Sequence, residues 1–584
     1  MNSLNSLSIR WSLPDPIDLE QLPKYDLPIF LLKILYRRGY RTLRSVDDFL
    51  NPHEPPNPYE HFPELQRAVH KIINAVKTKQ KIAICGDYDA DGMTSTALLV
   101  RIFNQIGANF IAKIPDRSTD GYGLNETIVR ELYLKKVKVI ITVDNGVNAI
   151  NSLELAKQMS IDTIITDHHK INKGNIFKPY ALIHPSTIPD NSAYKYMSGV
   201  GLAFILAKCF IESYRDINNI SPSLELFCIG TIADITPVIG ANRYYLKKGL
   251  SEFSKTKITG LKEIINNTEL EPSGIYEEDI SFKIAPRINS VGRISDPKLV
   301  LDLFTEDDLS INNSYAKSIE SINKTRRLMS DSIEAESISI IESCGEISYF
   351  ILLAQDHWNP GIIGVVAARM VERYSRPTAL LAPDKQGNFR ASVRAPEGFS
   401  VIKSLNHCSD LLENYGGHES AAGFTVKAKN LGKLQVKLNQ YTEDEFCADL
   451  FSKSITAETK LELNQIDLDF WNQLRLLGPF GNGNPKPIFW SRKCRVKSKF
   501  ISKTNFLRLV LEQDSTKIDA IKWKVSPGAV VPTFVDIIYT INYNSYKGKR
   551  NLILDILDYR KSQDNVKLLV KNKSYYIRKI EENI

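Results

Sequence analysis

The sequence predicts an α/β protein with several domains: a doubly wound parallel sheet, a long helical connector, a second α/β domain and a small C-terminal β-barrel. Three observations predict this. The 584 residues are too many for one hydrophobic core. Between residues 81 and 184, short apolar strands alternate with helices of ten to fifteen residues, which is typical of a parallel sheet. After residue 453 the chain turns to short strands of alternating polarity.

The composition indicates a soluble protein of a reducing compartment. Hydrophobic residues make up 43% and charged residues 24% of the chain, which is ordinary for a globular fold. None of the seven cysteines forms a Cys-x-x-Cys pair, so a disulfide framework and a zinc knuckle are disfavoured. There is no apolar run of about 18 residues and no signal-peptide pattern at the start. We expect a cytoplasmic monomer that does not associate with a membrane.

The first α/β domain is predicted from five strands. They are residues 81–86, 109–114, 137–143, 161–166 and 181–184. A helix follows the first strand, Asn125 is placed to cap a second helix, and residues 148–160 form a third. In sheets of this kind, ligands bind beyond the carboxyl ends of the strands.

Acidic residues and histidines follow three of these strands. They come after the first, the third and the fourth strand, and one more aspartate follows an apolar helix; the set is Asp87, Asp89, Asp91, Asp144, Asp167, His168, His169 and Asp234. A single aspartate after a strand is usually a turn former or a helix cap. Turn formation does not require so many carboxylates to converge at one edge, whereas a bound cation does.

The donor set predicts the kind of cation. It is rich in oxygen, has one or two imidazoles and no thiolate, which suits Mn²⁺ or Mg²⁺ better than structural zinc. Four or more carboxylates exceed the needs of one ion, so we expect two ions in a site for displacement at phosphorus. Asp144 is the natural bridge because it stands alone on the middle strand. His168 would bind one ion, His169 would face a phosphate, and Asp167 would orient an imidazole.

These residues lie in motifs that resemble a known family. "DYDADG", "TVDNG", "TDHH" and "GTIAD", in this order, resemble the four motifs of the DHH phosphoesterase superfamily. The chain is similar, more narrowly, to RecJ-type single-strand-specific exonucleases. The resemblance continues through "PDRSTDGYGLN", "KIAPRINSVGRI", "DHWNPGIIGVVAARM", "RASVRAPEG", "GGHESAAGF" and "LLGPFGNGNPKPIFW", and covers roughly residues 65 to 560. The middle motif has Ser290-Val291 where a common family form has Ala-Ala, which leaves Asn289, Gly292 and Arg293 in place.

The resemblance implies removal of nucleotides from single-stranded DNA in the 5′ to 3′ direction, with Mn²⁺ or Mg²⁺, in DNA repair and recombination. A helicase and a single-strand-binding protein are partners that it suggests. Carried over by motif, the metal ligands are Asp89, Asp91, Asp144, His168 and Asp234. Asp87 and His169 match close supporting positions, and we assign Asp87 to the metal set and His169 to both catalysis and substrate.

The second α/β domain is expected to hold the 5′ end of the strand. Ser392 and Arg394 are two apart on a predicted strand and therefore share a face. An arginine beside a hydroxyl suits a terminal phosphate. Gly416 and Gly417 permit close backbone approach, and His418 follows them. Further substrate candidates along the strand path are Arg117, Arg287, Asn289 and Arg293. A cleft between the two α/β domains would exclude duplex DNA by its width.

The C-terminal quarter is basic. Residues 451–584 hold 24 Lys and Arg against 13 Asp and Glu, whereas the rest of the chain holds 51 against 54. Arg495, Lys497 and Lys499 recur at period two, which predicts one basic face of a strand on a small barrel that suits single-stranded nucleic acid. The resemblance implies that this barrel is an OB fold. Aromatic residues intersperse with them, although Trp523 by itself is better explained as core.

The predicted domains are an N-terminal helical segment (1–60), the DHH domain (61–301), a connector helix (302–345), the DHH-associated domain DHHA1 (346–450), the OB-fold domain (451–560) and a basic tail or small final element (561–584). Two other functions remain open at this point. One is a hydrolase of short oligonucleotides, phosphonucleotides or pyrophosphate with the same fold. The other is a non-catalytic scaffold of replication that binds single strands.

Overall fold

A computed structural model of the chain describes residues 9–116, 123–172, 174, 178–214, 220–268, 270–384, 386–445, 454–502, 506–523, 525, 529–546, 549–562, 566–571 and 574–579. The chain forms two compact units. Unit 1 consists of Met1–Gly39, Thr325–Asn472 and Pro487–Ile584, and unit 2 consists of Tyr40–Lys324 and Gln473–Lys486. Each unit is described by itself.

The elements up to residue 343 are, in chain order, β1 (Arg10–Pro14), α1 (Ile29–Arg37), α2 (Leu43–Leu50), α3 (Leu65–Lys77), β2 (Lys81–Cys85), α4 (Ala90–Gln105), β3 (Phe110–Lys113), α5 (Glu126–Leu134), β4 (Val137–Val143), α6 (Ile150–Gln158), β5 (Asp162–Thr166), β6 (Ala181–Ile183), α7 (Gly199–Ser213), α8 (Leu224–Ala233), α9 (Gly240–Leu250), α10 (Thr259–Asn267), α11 (Glu277–Asp279), a π-helix (Ile280–Ile284), α12 (Ala285–Ile294), α13 (Lys298–Thr305) and α14 (Leu309–Ser343).

The elements after residue 343 are β7 (Ile351–Ala354), α15 (Ile363–Tyr374), β8 (Thr378–Pro383), β9 (Asn388–Arg394), α16 (Val401–His407), β10 (Asn414–Gly417), β11 (Ala421–Lys427), α17 (Leu431–Asp444), β12 (Ser454–Thr456), β13 (Thr459–Lys460), α18 (Leu468–Leu474), β14 (Phe489–Ile501), β15 (Leu507–Gln513), β16 (Thr516–Lys522), β17 (Phe534–Tyr546), β18 (Lys549–Lys561), β19 (Val566–Lys571) and β20 (Ser574–Lys579).

Unit 2 contains the predicted doubly wound sheet. Its strand order is β3-β2-β4-β5-β6, and every pair is parallel. Alternate residues of β2 pack on opposite faces: Ile82 and Ile84 join the core formed with α3, α4 and α7, while Ala83 packs with α5 and α6. The Asn125 carboxamide accepts a hydrogen bond from the Ile128 N–H (2.9 Å), which confirms the predicted cap of α5.

The connector is one long helix, α14, that begins at Leu309 and not at residue 302. Residues 302–305 instead complete α13. Glu306 leaves the helical conformation (φ −80°, ψ 141°), and the Asp308 carboxylate accepts hydrogen bonds from the N–H groups of Ser310 (2.8 Å) and Ile311 (3.0 Å). An aspartate in this position caps a new helix, so the break follows from local capping.

Unit 1 contains the predicted second α/β domain. Its sheet has the order β10-β11-β9-β8-β7, in which β7 and β8 are parallel and the other pairs are antiparallel. The C-terminal half of α14 is tied to this domain by Glu336, whose carboxylate accepts hydrogen bonds from the indole of Trp358 (2.8 Å) and the ring of His357 (3.0 Å). The motif "DHWNPGIIG" therefore joins the connector helix to this domain.

The predicted OB-fold barrel is also present in unit 1. Five strands follow the order β14-β15-β16-β18-β17, and the pairing of β14 with β17 closes the barrel. Only the β16–β18 pair among these is parallel. This strand order and closure are those of the OB fold.

The prediction that Arg495, Lys497 and Lys499 share one face is wrong. A β-bulge interrupts the pairing of β14 with β15 between Val496 and Ser498, so Arg495 lies opposite Glu512 and Lys499 lies opposite Leu509. Opposite residues of a strand pair share a face, and Leu509 and Glu512 are three apart on a regular strand. Arg495 and Lys499 therefore point to opposite faces, because the bulge at Lys497 changes the alternation.

The two ends of the chain meet in one small sheet of unit 1. Its order is β12-β1-β20-β19, with β1 parallel to β12 and antiparallel to β20. The last segment thus contains a hairpin, and the N-terminal segment a strand that the sequence did not indicate. Trp11 on β1 is buried, packs with Trp490, and its indole donates a hydrogen bond to Asp558 (2.7 Å). Among the residues described, no helix is both long enough and apolar enough to cross a bilayer.

Candidate functional site

The loop after β2 and the first turn of α4 carry the first three acids. Asp89 caps α4, since its carboxylate accepts the Gly92 N–H (3.0 Å). Asp91 lies in the first turn of α4 and is buried. Both oxygens of Asp91 accept backbone N–H groups from the start of α7, from Gly199 (2.7 Å) and Val200 (2.8 Å). The start of a helix suits a carboxylate, so α7 holds Asp91 in one orientation.

Asp144 follows β4, the strand between β2 and β5. It is buried and has a left-handed backbone (φ 61°), which is uncommon outside glycine, asparagine and aspartate. Its N–H donates to the Thr166 carbonyl at the end of β5 (2.9 Å). A Cβ on Gly199 would overlap the Asp144 side chain, so only glycine permits this approach. Backbone strain of this kind concentrates at functional sites.

The histidine pair lies beside Asp144. His168 Nε2 is 3.1 Å from Asp144 Oδ1, 3.7 Å from Asp234 Oδ2 and 3.8 Å from Asp91 Oδ2. His169 Nδ1 is 2.8 Å from Asp167 Oδ1, and Asp167 also accepts the N–H groups of His169 and Val147. Asp167 therefore orients His169, as a second layer of contacts commonly does at metal sites.

Three groups of these side chains are compact enough to hold an ion. They are Asp87, Asp89 and Asp144; Asp91, His168 and Asp234; and Asp144, His168 and His169, with ligand atoms within 4.8 Å in each group. The first two groups share no residue, and the third joins Asp144 to His168. Asp87 Oδ1 and His168 Nε2 are buried without a hydrogen-bond partner. Buried polar atoms without partners are costly, and divalent cations would satisfy them.

The electrostatics of the cluster fit the same interpretation. Burial, together with the charges of neighbouring aspartates, raises the pKa values of Asp87, Asp91 and Asp144 well above the ordinary value and that of Asp234 to about 7. Burial, and then the charge of His169, lowers the pKa of His168 to about 4, so that its ring is neutral as a metal ligand requires. Burial would lower the pKa of His169, but the hydrogen bond with Asp167 and the negative charges of Asp167, Asp89 and Asp87 together outweigh it and raise the pKa to about 9.

The motif "KIAPRINSVGRI" contacts the acidic loop. The Asn289 carboxamide oxygen accepts the Ala90 N–H (2.8 Å), and a Cβ on Gly292 would overlap the carbonyl oxygen of Tyr88. Asn289, predicted as a substrate contact, therefore holds the loop of Asp89. Arg287 forms an ion pair with Glu320 (2.5 Å) and donates to the Lys283 carbonyl (2.7 Å). Arg293 is partly exposed near the end of α12, and Arg117 lies outside the described residues.

The candidates for the 5′ end lie in unit 1. Ser392 and Arg394 are on β9, as predicted, and the Arg394 guanidinium donates to the Ser392 hydroxyl (3.4 Å). A Cβ on Gly364, in the first turn of α15, would lie 2.8 Å from Ser392 Oγ and 3.6 Å from Arg394 Nη2. Gly416 is in the same cross-strand row as Ser392, through Gly423. Gly417 ends β10, and the exposed His418 follows it.

The barrel candidates are less uniform than predicted. Lys497 forms an ion pair with Glu512 (3.1 Å), and Arg495 and Lys499 lie on opposite faces of β14. The expectation that Trp523 belongs to the core is wrong, since its side chain is 56% exposed and packs 5.7 Å from the ring of Phe506. Phe500 on β14 is 61% exposed.

Three groups of supporting residues were not predicted. Gly199 and Val200 bind Asp91, and the only local signal is Ser198-Gly-Val-Gly at a helix start. Asn145 links two strand ends, donating to the carbonyls of Cys85 (3.0 Å) and Val143 (2.9 Å). His184 accepts the Ser186 N–H at Nδ1 (2.9 Å), so its Nε2–H donates to the His169 carbonyl (2.8 Å).

Comparison with known proteins places this fold and cluster in a family. Residues 81–231 match the DHH family, N-terminal domain; residues 346–444 match the DHHA1 domain; and residues 457–558 match the RecJ OB domain. The single-stranded-DNA-specific exonuclease RecJ of Bacillus subtilis is 30% identical over 561 residues, which cover 94% of this chain and 70% of the relative. The chain belongs to the RecJ family.

Other members of the RecJ family are similar over most of their length. The single-stranded-DNA-specific exonuclease RecJ of Salmonella typhimurium is 28% identical over 91% of this chain and 96% of its own. The crystal structure of RecJ from Thermus thermophilus in complex with Mn²⁺ superposes with a TM-score of 0.79 at 25% identity, over 95% of this chain and 80% of that one. The Mg²⁺ complex from the same organism has a TM-score of 0.73 at 24% identity, over 95% and 79%.

Proposed function

We propose that this RecJ-family chain is a metal-dependent exonuclease that hydrolyses single-stranded DNA from its 5′ end, in DNA repair and recombination. One observation carries the proposal. Aspartates from three distant places in the sequence, residues 87–91, Asp144 and Asp234, converge with the neutral His168 in groups that fit divalent cations. The relatives named as single-stranded-DNA-specific exonucleases, one of them in complex with Mn²⁺, support the substrate and the metal.

The proposed ligands divide into two sets. Asp87, Asp89 and Asp144 would hold one Mn²⁺ or Mg²⁺, and Asp91, His168 and Asp234 would hold a second, with Asp144 close enough to His168 to serve both. When bound, a pair of such ions lowers the pKa of water and neutralises the charge that develops on a phosphodiester. Gly199 and Val200 keep Asp91 oriented, and Asn289 keeps the Asp89 loop in place.

His169 is proposed to face the phosphate. The hydrogen bond with Asp167 and the negative charges of nearby aspartates raise the pKa of its ring to about 9, and His184 holds its backbone carbonyl. A positively charged ring beside the ligand set would attract a phosphate group. His169 is therefore assigned to the substrate, and Asp167 and His184 are assigned to its orientation.

The 5′ terminus is proposed to bind at Ser392 and Arg394. Guanidinium and hydroxyl donors lie together on β9, and the first turn of α15 adds the positive end of a helix dipole. Gly416, Gly417 and His418 on and after β10 are assigned to the same pocket. A helicase, a single-strand-binding protein, a monomeric state and a cytoplasmic location stay predictions.

The function is tested with single strands and duplexes labelled at either end, digested with Mn²⁺, with Mg²⁺ or with a chelator. We expect single strands alone to shorten, from the 5′ end, and only with a metal. Asp144→Asn keeps a residue that tolerates the left-handed backbone, and it should reduce the rate by more than about 100-fold. Faster cleavage of a dinucleotide than of a long strand would instead indicate a hydrolase of short oligonucleotides. Undiminished cleavage by Asp144→Asn, or cleavage without metal, would refute the proposal.

The same assay tests the 5′ pocket. Arg394→Ala should lower kcat/KM for strands with a 5′-phosphate by about ten-fold or more, because a charge-assisted hydrogen bond is lost. Strands with a 5′-hydroxyl should be affected much less. If the wild-type chain cleaves both kinds of strand equally well, the assignment of Ser392 and Arg394 is wrong.

A further inference from the structure

The segment Gln473–Lys486 belongs to a different unit from its neighbours in sequence. The residues before and after it, through Asn472 and from Pro487, are part of unit 1, which contains the barrel, but the segment itself is part of unit 2. Most of the segment lies in the motif "LLGPFGNGNPKPIFW", within the residues 451–560 that the sequence predicts as the OB-fold domain. In the structure the first barrel strand, β14, starts later, at Phe489.

The first half of the segment is anchored on the helical run that starts at α11. Arg475 forms a bidentate ion pair with Glu277, at 2.7 Å for both nitrogen–oxygen pairs, and the Phe480 N–H donates to the same carboxylate (2.7 Å). Arg243 on α9 donates to the carbonyls of Leu477 (3.2 Å) and Gly478 (3.0 Å). The Glu277–Arg475 ion pair is nearly buried, and both carboxylate oxygens are hydrogen-bonded to the guanidinium group, so the pair is a specific attachment.

The second half of the segment contacts the loop that follows Asp234. Gly481 and Asn484 form a tight turn through two backbone hydrogen bonds, at 2.9 and 3.1 Å. The Asn482 carbonyl accepts the Val238 N–H (2.7 Å), and its carboxamide donates to the Ile235 carbonyl (3.3 Å). A Cβ on Gly481 would lie 2.7 Å from Val238 Cγ2, a methyl of a stiff β-branched side chain.

The segment therefore contacts two parts of the chain that lead to the acidic cluster. Ile235 is the residue after Asp234 and has a left-handed backbone (φ 58°), so the position of Asp234 depends on how this loop is held. Glu277 begins the run of α11, the π-helix and α12, and α12 carries Asn289 and Gly292 against the loop of Asp89. One segment is thus in contact with the loop of one ligand and with the helical run that supports another.

We propose that residues 475–486 are a positioning brace that sets the separation of Asp234 from the Asp87–Asp91 loop and thereby the occupancy of the second ion. The proposal rests on the proposed function, because it takes Asp91, His168 and Asp234 as ligands. No residue of the brace is a ligand itself. Its loss should weaken metal binding at Asp234 more than it weakens the fold.

The test compares Gly481→Ala and Asn482→Ala with Gly432→Ala, in the full chain. Gly432 lies in α17 with nothing within 4 Å of an added Cβ, so its variant controls for the substitution itself. Mn²⁺ binding is measured by electron paramagnetic resonance and by calorimetry, and folding by circular dichroism. We expect Gly481→Ala to weaken the binding of the second Mn²⁺, which is assigned to Asp91, His168 and Asp234, by about ten-fold or more. Changes in the outer contacts of metal sites have effects of this size. Asn482→Ala, which removes one hydrogen bond, should weaken it about five-fold.

Nuclease activity of both variants should recover as Mn²⁺ is raised, and binding of a single strand in chelator should be unchanged. Wild-type Mn²⁺ affinity in variants that are folded would overturn the brace. If Gly481→Ala does not fold, Asn482→Ala alone decides, since it alters an exposed side chain. Failure of the proposed function is recognised separately, because the wild-type chain would then bind no Mn²⁺ at the cluster or Asp144→Asn would remain active.

Discussion

At the scale of single residues, the buried carboxylates of the cluster repel one another when they are ionised, and a bound cation reduces this repulsion. Asp87, Asp91 and Asp144 are buried, and burial and mutual proximity raise the pKa of each. An aspartate whose pKa is raised on folding binds protons more tightly when folded, so it disfavours the folded state as the pH rises above its unfolded pKa. Divalent cations favour the ionised carboxylates and reverse this penalty.

The pH dependence of metal stabilisation follows from this argument. Between about pH 5.5 and pH 8, the metal-free chain should lose thermal stability as the pH rises through the raised pKa values, including that of Asp234 at about 7. The rise in Tm on adding saturating Mn²⁺ should therefore be larger at pH 8 than at pH 5.5. Scanning calorimetry with Mn²⁺ and with chelator measures this difference in Tm at each pH. In the Asp144→Asn variant, the rise in Tm caused by Mn²⁺ at pH 8 should be smaller than in the wild-type chain. An equal Mn²⁺ effect at both pH values would contradict the assignment of the ligands.

At the scale of elements, α12 is the support of the acidic loop. Asn289 accepts the Ala90 N–H, and Gly292 lies so close to Tyr88 that no other residue fits there without movement. Asn289 and Gly292 are three apart and therefore on one face of the helix. The Asn and Gly that "NSVGR" shares with the common family form therefore both contact the loop of Asp89. Ser290 and Val291, at which the motif differs from that form, are buried beside them.

Gly292→Ala is expected to be harmful because its Cβ would meet a backbone oxygen, which cannot rotate away. We expect a loss of about 1–3 kcal/mol in unfolding free energy, as for other overpacked sites, together with weaker Mn²⁺ binding. Thermal unfolding and Mn²⁺ titration measure the two effects. Gly432→Ala in α17 is the control, and an unchanged Tm and Mn²⁺ affinity for Gly292→Ala would show that the loop does not depend on α12.

At the scale of the whole molecule, the charge is concentrated where the barrel lies. Residues 451–584 carry an excess of 11 positive charges, while the rest of the chain is close to neutral. The exposed aromatic side chains of Phe500 and Trp523 also belong to the barrel. Stacking on exposed rings, with basic residues nearby, binds single strands without reading the sequence. The barrel is therefore expected to contribute affinity, and the acidic cluster to contribute the chemistry.

The contribution of the barrel is measurable when chelator prevents cleavage. Trp523→Ala should weaken the binding of a labelled single strand by about 1–3 kcal/mol with little change in its salt dependence. Lys499→Ala should instead lower the salt slope by about 0.7. Fluorescence anisotropy at several salt concentrations separates the two effects. Lys433→Ala, an exposed lysine of α17 in the DHHA1 domain, removes the same charge elsewhere. If it lowers the slope equally, Lys499 has no specific part in binding.

The sequence by itself determined the sheet and the order of its acids. Strands that alternate with helices must be parallel, so the residues that follow β2, β4 and β5 emerge at one edge whatever the rest of the chain does. Asp144 on the middle strand is predicted for the same reason. The closed barrel was predictable as well, from short alternating strands and from the motifs that resemble the family.

Contacts between distant segments were decided only by the tertiary structure. Examples are the hydrogen bonds from the N–H groups of Gly199 and Val200 to Asp91, the sheet that joins β1 to β20, and the attachment of residues 473–486 to unit 2. The bulge at Lys497 likewise reverses a face that period two predicts. Local patterns specify which element forms and which side is apolar. They do not encode which remote backbone groups pack against it, because that choice depends on the shape and hydrogen bonding of the complete core.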